Sequence, residues 1–191
     1  MPESMKEELL KAYEILKQGG IILYPTDTIW GIGCDATNAK AIERIYKIKK
    51  RSVNKNMIIL LDFPEKLYQY VSKIPETAFD FINNIKTPLT IVYPGAKNLP
   101  KILIAKDGSI AIRIVREEFC QKLIGLLNKP LISTSANISG EANPLIFSKV
   151  NPDIIKKVDY VVTLNKNSIK QLKSSTIIQF NTNGEYEIIR A

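Results

Sequence analysis

Short apolar runs rich in β-branched and aromatic residues alternate with amphipathic segments along this sequence, which limits the folds that it can adopt. The predicted strands lie at 21–24, 57–61, 89–93, 109–115, 131–133, 160–164, 176–180 and 186–189. The predicted helices lie at 4–18, after Asn38, at 64–70, after Pro75, around 119–127 and at 148–158. Because the alternation has no strict repeat, we expect an α/β or α+β fold with a twisted open sheet of mixed and parallel strands, flanked by helices.

Chain length and hydropathy favour one domain. A chain of 191 residues with 45% hydrophobic content can bury one good core and is short for two, so we expect a single domain over residues 1–191. No apolar run approaches the length of a membrane span, and the amino terminus is charged and amphipathic rather than a signal peptide. We therefore expect a soluble, cytoplasmic protein that does not contact a membrane.

Residues that commonly begin or end helices flank the first two predicted helices. Ser4 and Glu7 have the spacing of a capping box, and Gly19 is a helix stop. Asn38 is a suitable N-cap for the second helix.

One strand leads directly into a cluster of small polar residues. The run 21–24 is bounded by Gly20 and Pro25, and Thr26, Asp27 and Thr28 follow it. Ligands usually bind at such strand ends in open α/β sheets, although an ordinary polar turn has the same composition. Gly31 and Gly33 predict either a close approach of the backbone to a ligand or a positive φ angle. Trp30 could line a ligand pocket at this strand end, or it could be a core residue.

The composition excludes several kinds of active site. The chain has no histidine, so nucleophiles activated by histidine are excluded, and its two cysteines, Cys34 and Cys120, lie far apart in the sequence and do not suggest a zinc site. The formal net charge of +8 favours an anionic partner, which could be a nucleotide or a nucleic acid. Solvated lysines are the simpler explanation of the same surplus.

Two further segments could bind phosphate. Lys49 and Arg51 can grip one ligand only if the second helix has ended before them, and Lys55 adds a cation to the same loop. The segment 133–137 offers hydroxyls at alternate positions and the amide of Asn137. The alternative for the basic segment is a solvated helix end, and the alternative for 133–137 is an ordinary hydrogen-bonded turn. The sequence has neither a Walker A motif nor a complete dinucleotide fingerprint.

Taken together, these motifs resemble the YrdC-like threonylcarbamoyl-AMP synthases of the short, single-domain type, which have the YrdC/RibB-like fold. The resemblance covers almost the whole chain and consists of six segments: Gly20 to Gly33, Lys49-x-Arg51, Thr87 to Thr90, Ala111 to Arg113, Ser133 to Gly140, and Ser174 to Thr176 before a closing Ile189-Arg190. The departures are Trp30 for a usual tyrosine or phenylalanine, Leu60 for a histidine of longer relatives, and Ser52 and Asn56 in the basic loop.

The resemblance implies a role for each matching residue. It implies that L-threonine is bound by Thr28, Arg113, Ser133 and Ser175. It implies that ATP is bound by Arg51, Lys55, Ser109, Ser135, Asn137, Asn143 and Arg190. Lys49 and Arg51 are the expected catalytic residues, which would stabilise phosphate and transition-state charge. Mg²⁺ is expected to be bound through ATP, with no metal ligand from the protein.

The implied reaction joins L-threonine, bicarbonate and ATP into threonylcarbamoyl-AMP and releases pyrophosphate. This nucleotidyltransferase would supply a transferase complex that makes N6-threonylcarbamoyladenosine in tRNA (t6A37). The competing hypothesis is a module of the same fold that binds tRNA or double-stranded RNA without synthase activity, since the positive charge suits RNA phosphates. No RNA-binding motif is present, so we expect weak tRNA binding at most. Carbamoyl-handling domains of hydrogenase maturation proteins are a third possibility, but they carry zinc-finger segments that this chain lacks.

Overall fold

The computed structural model describes residues 2–53, 55, 57–164 and 174–191. Within these ranges, nine strands form a sheet in the order β7-β1-β2-β6-β3-β5-β4-β8-β9. The strands are β1 (Ile22–Tyr24), β2 (Gly31–Gly33), β3 (Ile58–Leu61), β4 (Leu89–Tyr93), β5 (Ile110–Ile114), β6 (Leu131–Ser135), β7 (Tyr160–Val161), β8 (Thr176–Phe180) and β9 (Tyr186–Arg190). The helices are α1 (Glu3–Lys17), α2 (Ala39–Ile48), α3 (Leu67–Tyr70), α4 (Glu76–Asn84), α5 (Glu118–Leu127) and α6 (Pro152–Ile155).

The sheet is mixed, as the sequence predicted. Its parallel pairs are β1 with β7, β3 with β5 and β4 with β8. Its antiparallel pairs are β1 with β2, β2 with β6, β3 with β6, β4 with β5 and β8 with β9. Antiparallel pairs therefore outnumber parallel pairs, whereas the sequence led us to expect a larger share of parallel pairs.

Helices cover the two faces of the sheet unequally. Alternate residues of β1 enter different cores: Tyr24 packs with α1 and α5, whereas Leu23 packs with α2 and the opposite face. Leu60 on β3 also belongs to the cluster with α1 and α5, and Ile58 shares its face. Farther along this face, half-buried residues of β5, β4 and β8 form the floor of an open cleft. The cleft is thus the part of the sheet that α1 and α5 leave accessible.

The helix ends confirm two predictions and correct two. Asn38 caps α2, since its side chain accepts a hydrogen bond from the Ala41 amide at 3.1 Å. Gly19 follows α1 with a φ of 79°, as expected of a helix stop. The predicted capping box is wrong, because α1 begins at Glu3 and has no side-chain cap. The helix predicted at 148–158 is only α6 preceded by a short 3-10 turn, since Pro152 cannot continue a helix and can only begin one.

The strand predictions needed three changes. β6 extends to Ser135, two residues beyond the prediction, and β7 is shorter than the predicted 160–164. Strand β2 was not predicted at all. The φ angles of Gly31 and Gly33 are not positive; a Cβ on Gly33 would lie 2.1 Å from the Ile132 carbonyl oxygen, so this glycine permits close approach of β6 rather than of a ligand. Asn56, one of the departures from the family pattern, lies outside the described residues.

No helix within the described ranges is long and apolar enough to span a membrane.

Candidate functional site

The cleft has a volume of about 480 Å³, within the range of small-molecule binding sites. Its floor consists of Ile58, Ala111 and Val92, which lie side by side on β3, β5 and β4. Polar side chains from the loops after α2 and β6 surround this apolar floor. A smaller cavity of about 200 Å³, beneath α4 on the opposite face, has a mainly aliphatic lining.

The structure brings almost all of the predicted site residues into this one cleft. Those that line it are Thr28, Lys49, Arg51, Lys55, Arg113, Ser133, Ser135, Asn137, Asn143, Ser175 and Arg190. Ser109 is the exception. Its hydroxyl donates to the Asp107 carboxylate at 2.7 Å in the turn before β5, so the position of its side chain does not support the predicted contact with ATP.

Lys49 links the two phosphate-binding candidates. It follows the last residue of α2 and is only 1% exposed. Its ammonium group donates to the carbonyl oxygens of Ser135 and Asn137, the latter at 2.7 Å, and to the Asn137 side chain at 3.2 Å. The Ser139 amide in turn donates to the Lys49 carbonyl at 2.8 Å. Lys49 thus fixes the loop after β6, and all three ammonium protons are used in doing so.

The environment of Lys49 favours the neutral form of its side chain. Burial, assisted by the nearby positive charge of Arg51, lowers the pKa of Lys49 to about 7. The sequence assigned a direct phosphate contact to this ammonium. In the structure, the protein itself supplies the acceptors.

The basic loop after α2 has the geometry that a shared ligand requires. The helix ends at Ile48, before Lys49 and Arg51, and Lys50 takes a positive φ of 49°. The Arg51 Nε donates to the Lys55 carbonyl at 2.9 Å, which closes the loop on itself. Arg51 and Lys55 both line the cleft, so two cations face its interior from one short segment.

Arg113 is a buried cation held by the loop after β1. Its guanidinium lies 3.3 Å from the Asp27 carboxylate and 3.4 Å from the Thr28 hydroxyl. The Thr26 hydroxyl fixes this loop by accepting from the Thr28 amide at 3.0 Å and donating to the Ile29 carbonyl at 2.8 Å. The Nε of Arg113 has no hydrogen-bond partner within the described parts of the chain. A buried donor of this kind can bind a ligand carboxylate.

The other side of the cleft is formed by the beginning of β8 and the end of β9. The Ser175 and Thr90 hydroxyls are 2.7 Å apart and share one hydrogen bond. Arg190 donates to the Ser175 carbonyl from Nη2 at 2.7 Å and from Nε at 3.1 Å. These contacts fix a second guanidinium next to the predicted threonine site.

The site offers little to a metal ion. No cluster of three or more His, Cys, Asp or Glu side chains suitable for a metal occurs among the described residues. The described residues that line the cleft include no carboxylate.

Sequence reasoning did not assign roles to three residues of the site. Thr26 shapes the first loop, Asp27 orients Arg113, and Thr90 binds Ser175. Thr26 and Asp27 belong to the polar cluster after β1, and Thr90 ends the Thr87 to Thr90 motif. All three therefore lie in segments that the sequence had already marked as parts of the site. The contacts of Asp27 with Arg113 and of Thr90 with Ser175 join residues that are far apart in the sequence, so the sequence did not reveal them.

Comparison with known proteins gives the same family as the motifs. The family model described as telomere recombination, and named for Sua5, YciO and YrdC, matches residues 14–191. Threonylcarbamoyl-AMP synthase from Pseudoalteromonas translucida is 36% identical over 83% of this chain and 87% of its own length. A putative threonylcarbamoyl-AMP synthase from Methanocaldococcus jannaschii is 37% identical over 93% of this chain and 84% of its own.

Solved structures agree on the fold. Sua5 from P. abyssi in complex with L-threonine has a TM-score of 0.87 and 26% identity; the match covers 97% of this chain but 54% of that one, so the present chain spans about half of that protein. YciO from E. coli has a TM-score of 0.84 and 25% identity, over 100% of this chain and 90% of its own. The chain therefore belongs to the Sua5, YciO and YrdC family, which it shares with enzymes named threonylcarbamoyl-AMP synthase.

Proposed function

We propose that this protein is a threonylcarbamoyl-AMP synthase that uses L-threonine, bicarbonate and ATP and releases pyrophosphate. The observation that carries the proposal is the convergence of hydroxyl, amide and cationic side chains from six separate segments on one cleft of about 480 Å³. Threonine, bicarbonate and ATP all carry negative charge, and a site that gathers them must offset their mutual repulsion. Arg51, Lys55, Arg113 and Arg190 supply that positive charge.

Arg113 is the group that we assign to the threonine carboxylate. Its Nε has no partner among the described residues, whereas Nη2 lies 3.3 Å from the Asp27 carboxylate and Nη1 donates to the Thr28 hydroxyl at 3.4 Å. The Nε–H and one of the two N–H groups of Nη2 are parallel, which is the geometry that a carboxylate prefers. The hydroxyls of Ser133 and Ser175 complete this part of the cleft.

Arg51 and Lys55 are assigned to the triphosphate, together with Ser135 and Asn137. Lys49 acts on this group indirectly, because its ammonium fixes the backbone that carries Ser135 and Asn137. In the reaction, the threonine amine first forms a carbamate with bicarbonate: the N–C bond forms, and the amine proton leaves with a bicarbonate hydroxyl as water. A carbamate oxygen then attacks the α-phosphorus, the bond from that phosphorus to the bridging oxygen breaks, and pyrophosphate leaves.

Such a transfer depends mainly on alignment and on stabilisation of charge, so a site without histidine is adequate. Arg113 and the hydroxyls orient the carbamate, while Arg51 and Lys55 stabilise the charge that moves onto the leaving pyrophosphate. Mg²⁺ on the nucleotide would add further charge neutralisation.

The product requires a receiving partner. We assign to that role a threonylcarbamoyl transferase complex that modifies tRNA, and place the protein in the cytoplasm, where tRNA is available. Direct tRNA binding by this chain is expected to be weak.

Incubation with ATP, bicarbonate and labelled threonine, followed by chromatography and a pyrophosphate assay, tests the proposal. Pyrophosphate release should require both threonine and bicarbonate, and the label should move into an adenylate. Arg113→Gln should abolish threonine-dependent release of pyrophosphate, whereas Arg116→Gln, at an exposed position on the same segment, should leave it unchanged. Release of pyrophosphate that is independent of threonine would contradict the assignment.

A further inference from the structure

A second cavity lies beneath α4, on the face of the sheet opposite to the cleft. This α4 cavity has a volume of about 200 Å³. Its floor consists of Leu89 and Ile91 from β4 and Ile112 and Ile114 from β5, and Ile82 of α4 covers them. An aliphatic cavity of about 150 Å³ can hold a molecule the size of benzene. The α4 cavity is therefore large enough for a small organic molecule.

Asp27 is the polar group that connects this cavity with the cleft. Its side chain is 14% exposed and lines the α4 cavity, while its Oδ1 lies 3.3 Å from Nη2 of Arg113. Oδ1 nevertheless accepts no hydrogen bond from the described residues. An ionised carboxylate has about four acceptor positions, so Asp27 can still accept a hydrogen bond from a molecule in the cavity.

The charges around the cavity favour an uncharged occupant. Arg116 and Lys86 line the cavity, but they donate to backbone carbonyls at the end of α4, at 2.6 and 3.0 Å. The charge of Asp27 is already compensated by Arg113. A cationic ligand would therefore meet an excess of positive side chains, and an anionic one would lose its hydration against aliphatic walls. A neutral molecule with one hydrogen-bond donor fits both the walls and the carboxylate.

We propose that the α4 cavity binds an uncharged aliphatic alcohol of about four to six carbons, whose hydroxyl donates to Asp27. The hydroxyl proton competes with the Arg113 guanidinium for the same carboxylate. Occupancy therefore loosens the contact that orients Arg113 and lowers the affinity for threonine, and threonine lowers the affinity for the alcohol by the same factor. This coupling rests on the proposed function, since it makes the cavity a regulatory site for threonine binding.

Two isomers that differ in one hydrogen-bond donor test the assignment. 3-Methylbutan-1-ol carries a hydroxyl, whereas isobutyl methyl ether has the same atoms and no O–H. In NMR titrations of protein labelled at isoleucine δ1-methyl groups, the alcohol should shift Ile91 and Ile112 with a dissociation constant on the order of 1 mM. The ether and 3-methylbutylammonium should bind about tenfold more weakly or not at all. Ile177, which lines the cleft, should not shift.

A cavity-filling variant tests the location and the coupling. Ile82→Phe places a larger side chain in the cavity, whereas Ile74→Phe makes the same change at another half-buried isoleucine, which packs on the same core and does not line the cavity. Only Ile82→Phe should lose binding of the alcohol. Calorimetric titration of wild type with threonine should show about fivefold weaker binding at saturating alcohol, and the alcohol should have no effect on threonine binding by Ile82→Phe.

Any of four results would overturn the inference: no shift of the cavity methyl groups, equal binding of the ether, binding retained by folded Ile82→Phe, or threonine affinity that the alcohol leaves unchanged. Shifts at Ile177 as large as those at Ile91 would also contradict it, because they would place the alcohol in the cleft. The methyl titrations require neither threonine nor turnover. A protein that binds no threonine would refute the proposed function, whereas the comparison of isomers would still decide whether the cavity binds an alcohol.

Discussion

Lys49 shows how a residue of a conspicuous motif can act through its neighbours. Its ammonium bonds to Ser135 and Asn137, and its carbonyl accepts from the Ser139 amide. The Lys-x-Arg and Ser-x-Asn motifs are therefore joined physically, by one buried side chain. Arg51, the other member of the first motif, lines the cleft alongside Lys55. We therefore propose that Lys49 positions the loop after β6.

Replacing Lys49 with methionine should reduce both stability and turnover. Each buried carbonyl that loses its donor costs about 1 to 3 kcal/mol of unfolding free energy, and displacement of a preorganised phosphate donor typically lowers kcat by about a hundredfold or more. Lys50→Met is the control, because the Lys50 side chain is exposed. Urea unfolding and pyrophosphate-release kinetics measure the two effects. Kinetics near wild type for Lys49→Met would show that the loop keeps its geometry without this lysine.

The lowered pKa of Lys49 also predicts how stability depends on pH. At a pH between about 7, the pKa of Lys49 in the folded protein, and 10.5, its ordinary pKa, the unfolded chain binds a proton that the folded chain has lost. Wild type should therefore gain stability relative to Lys49→Met as the pH rises above about 7, by at most about 1.4 kcal/mol per pH unit. Below that pH, the difference should be constant.

Urea unfolding of both proteins between about pH 6 and pH 9 measures this linkage, and the ¹⁵N shift of the Lys49 side chain follows the same titration in wild type. A pH-independent difference would mean that the three loop acceptors keep the ammonium charged despite its burial.

Trp30 combines two roles that the sequence could not separate. It is 3% exposed and packs on Phe147 with ring centroids 5.2 Å apart, yet it also lines the cleft. Wild type should prefer threonine over serine by about ten- to two-hundredfold, the usual value of one methyl contact. Trp30→Phe should keep the packing and reduce that preference several-fold. Measurement of kcat/KM for both amino acids tests this, and an equal loss for both would leave Trp30 a core residue only.

The sequence predicted which residues line the cleft far better than it predicted their contacts. The family resemblance grouped Thr28, Arg113 and Ser175, and all three line the cleft. It did not show that Asp27 contacts Arg113, or that the Lys49 ammonium donates to backbone carbonyls, because those contacts depend on how distant strands and loops meet. Long, flexible side chains such as lysine have many reachable partners, and only the folded arrangement selects one.

The two glycines Gly33 and Gly125, on β2 and α5, should respond oppositely to substitution by alanine. A Cβ on Gly33 would meet the Ile132 carbonyl oxygen at 2.1 Å, so Gly33→Ala must force β2 and β6 apart and destabilise the fold. A Cβ on Gly125, in the last turn of α5, would meet only Asp62 Oδ2 at 3.7 Å. Gly125→Ala should stabilise the protein by about 0.5 to 1 kcal/mol. Denaturant midpoints test both, and a neutral Gly33→Ala would argue against the close pairing.

The elements that the sequence predicted correctly are those with a strong local pattern, such as α1, α2 and β3. β2 escaped prediction because a Gly-Ile-Gly segment has no apolar run, and its strand conformation comes from pairing with β1 and β6 on either side. The predicted capping box at Ser4 failed because Pro2 already precedes the helix. The break at Pro152 could have been inferred, since proline lacks the N–H that a continuous helix needs.

The surplus of positively charged side chains over the whole molecule falls into two groups. Some of it serves the cleft, where Arg51, Lys55, Arg113 and Arg190 converge. The remainder belongs to lysines and arginines spread over the chain, for a formal net charge of +8. A dispersed surplus attracts polyanions at long range without defining a specific surface. This distinction predicts different responses to salt.

Binding of tRNA by the isolated protein should accordingly be weak and sensitive to salt. Contacts to phosphate release counterions, so affinity falls steeply between about 50 and 200 mM salt, and non-specific binding at physiological salt is typically no tighter than about 1 μM. Fluorescence anisotropy with labelled tRNA over this range measures the slope, and addition of ATP tests whether the cleft takes part. Because the cations of the cleft are assigned to threonine and ATP, ATP should displace only a small part of the binding. Tight binding that persists at physiological salt would instead favour an RNA-binding role for this chain.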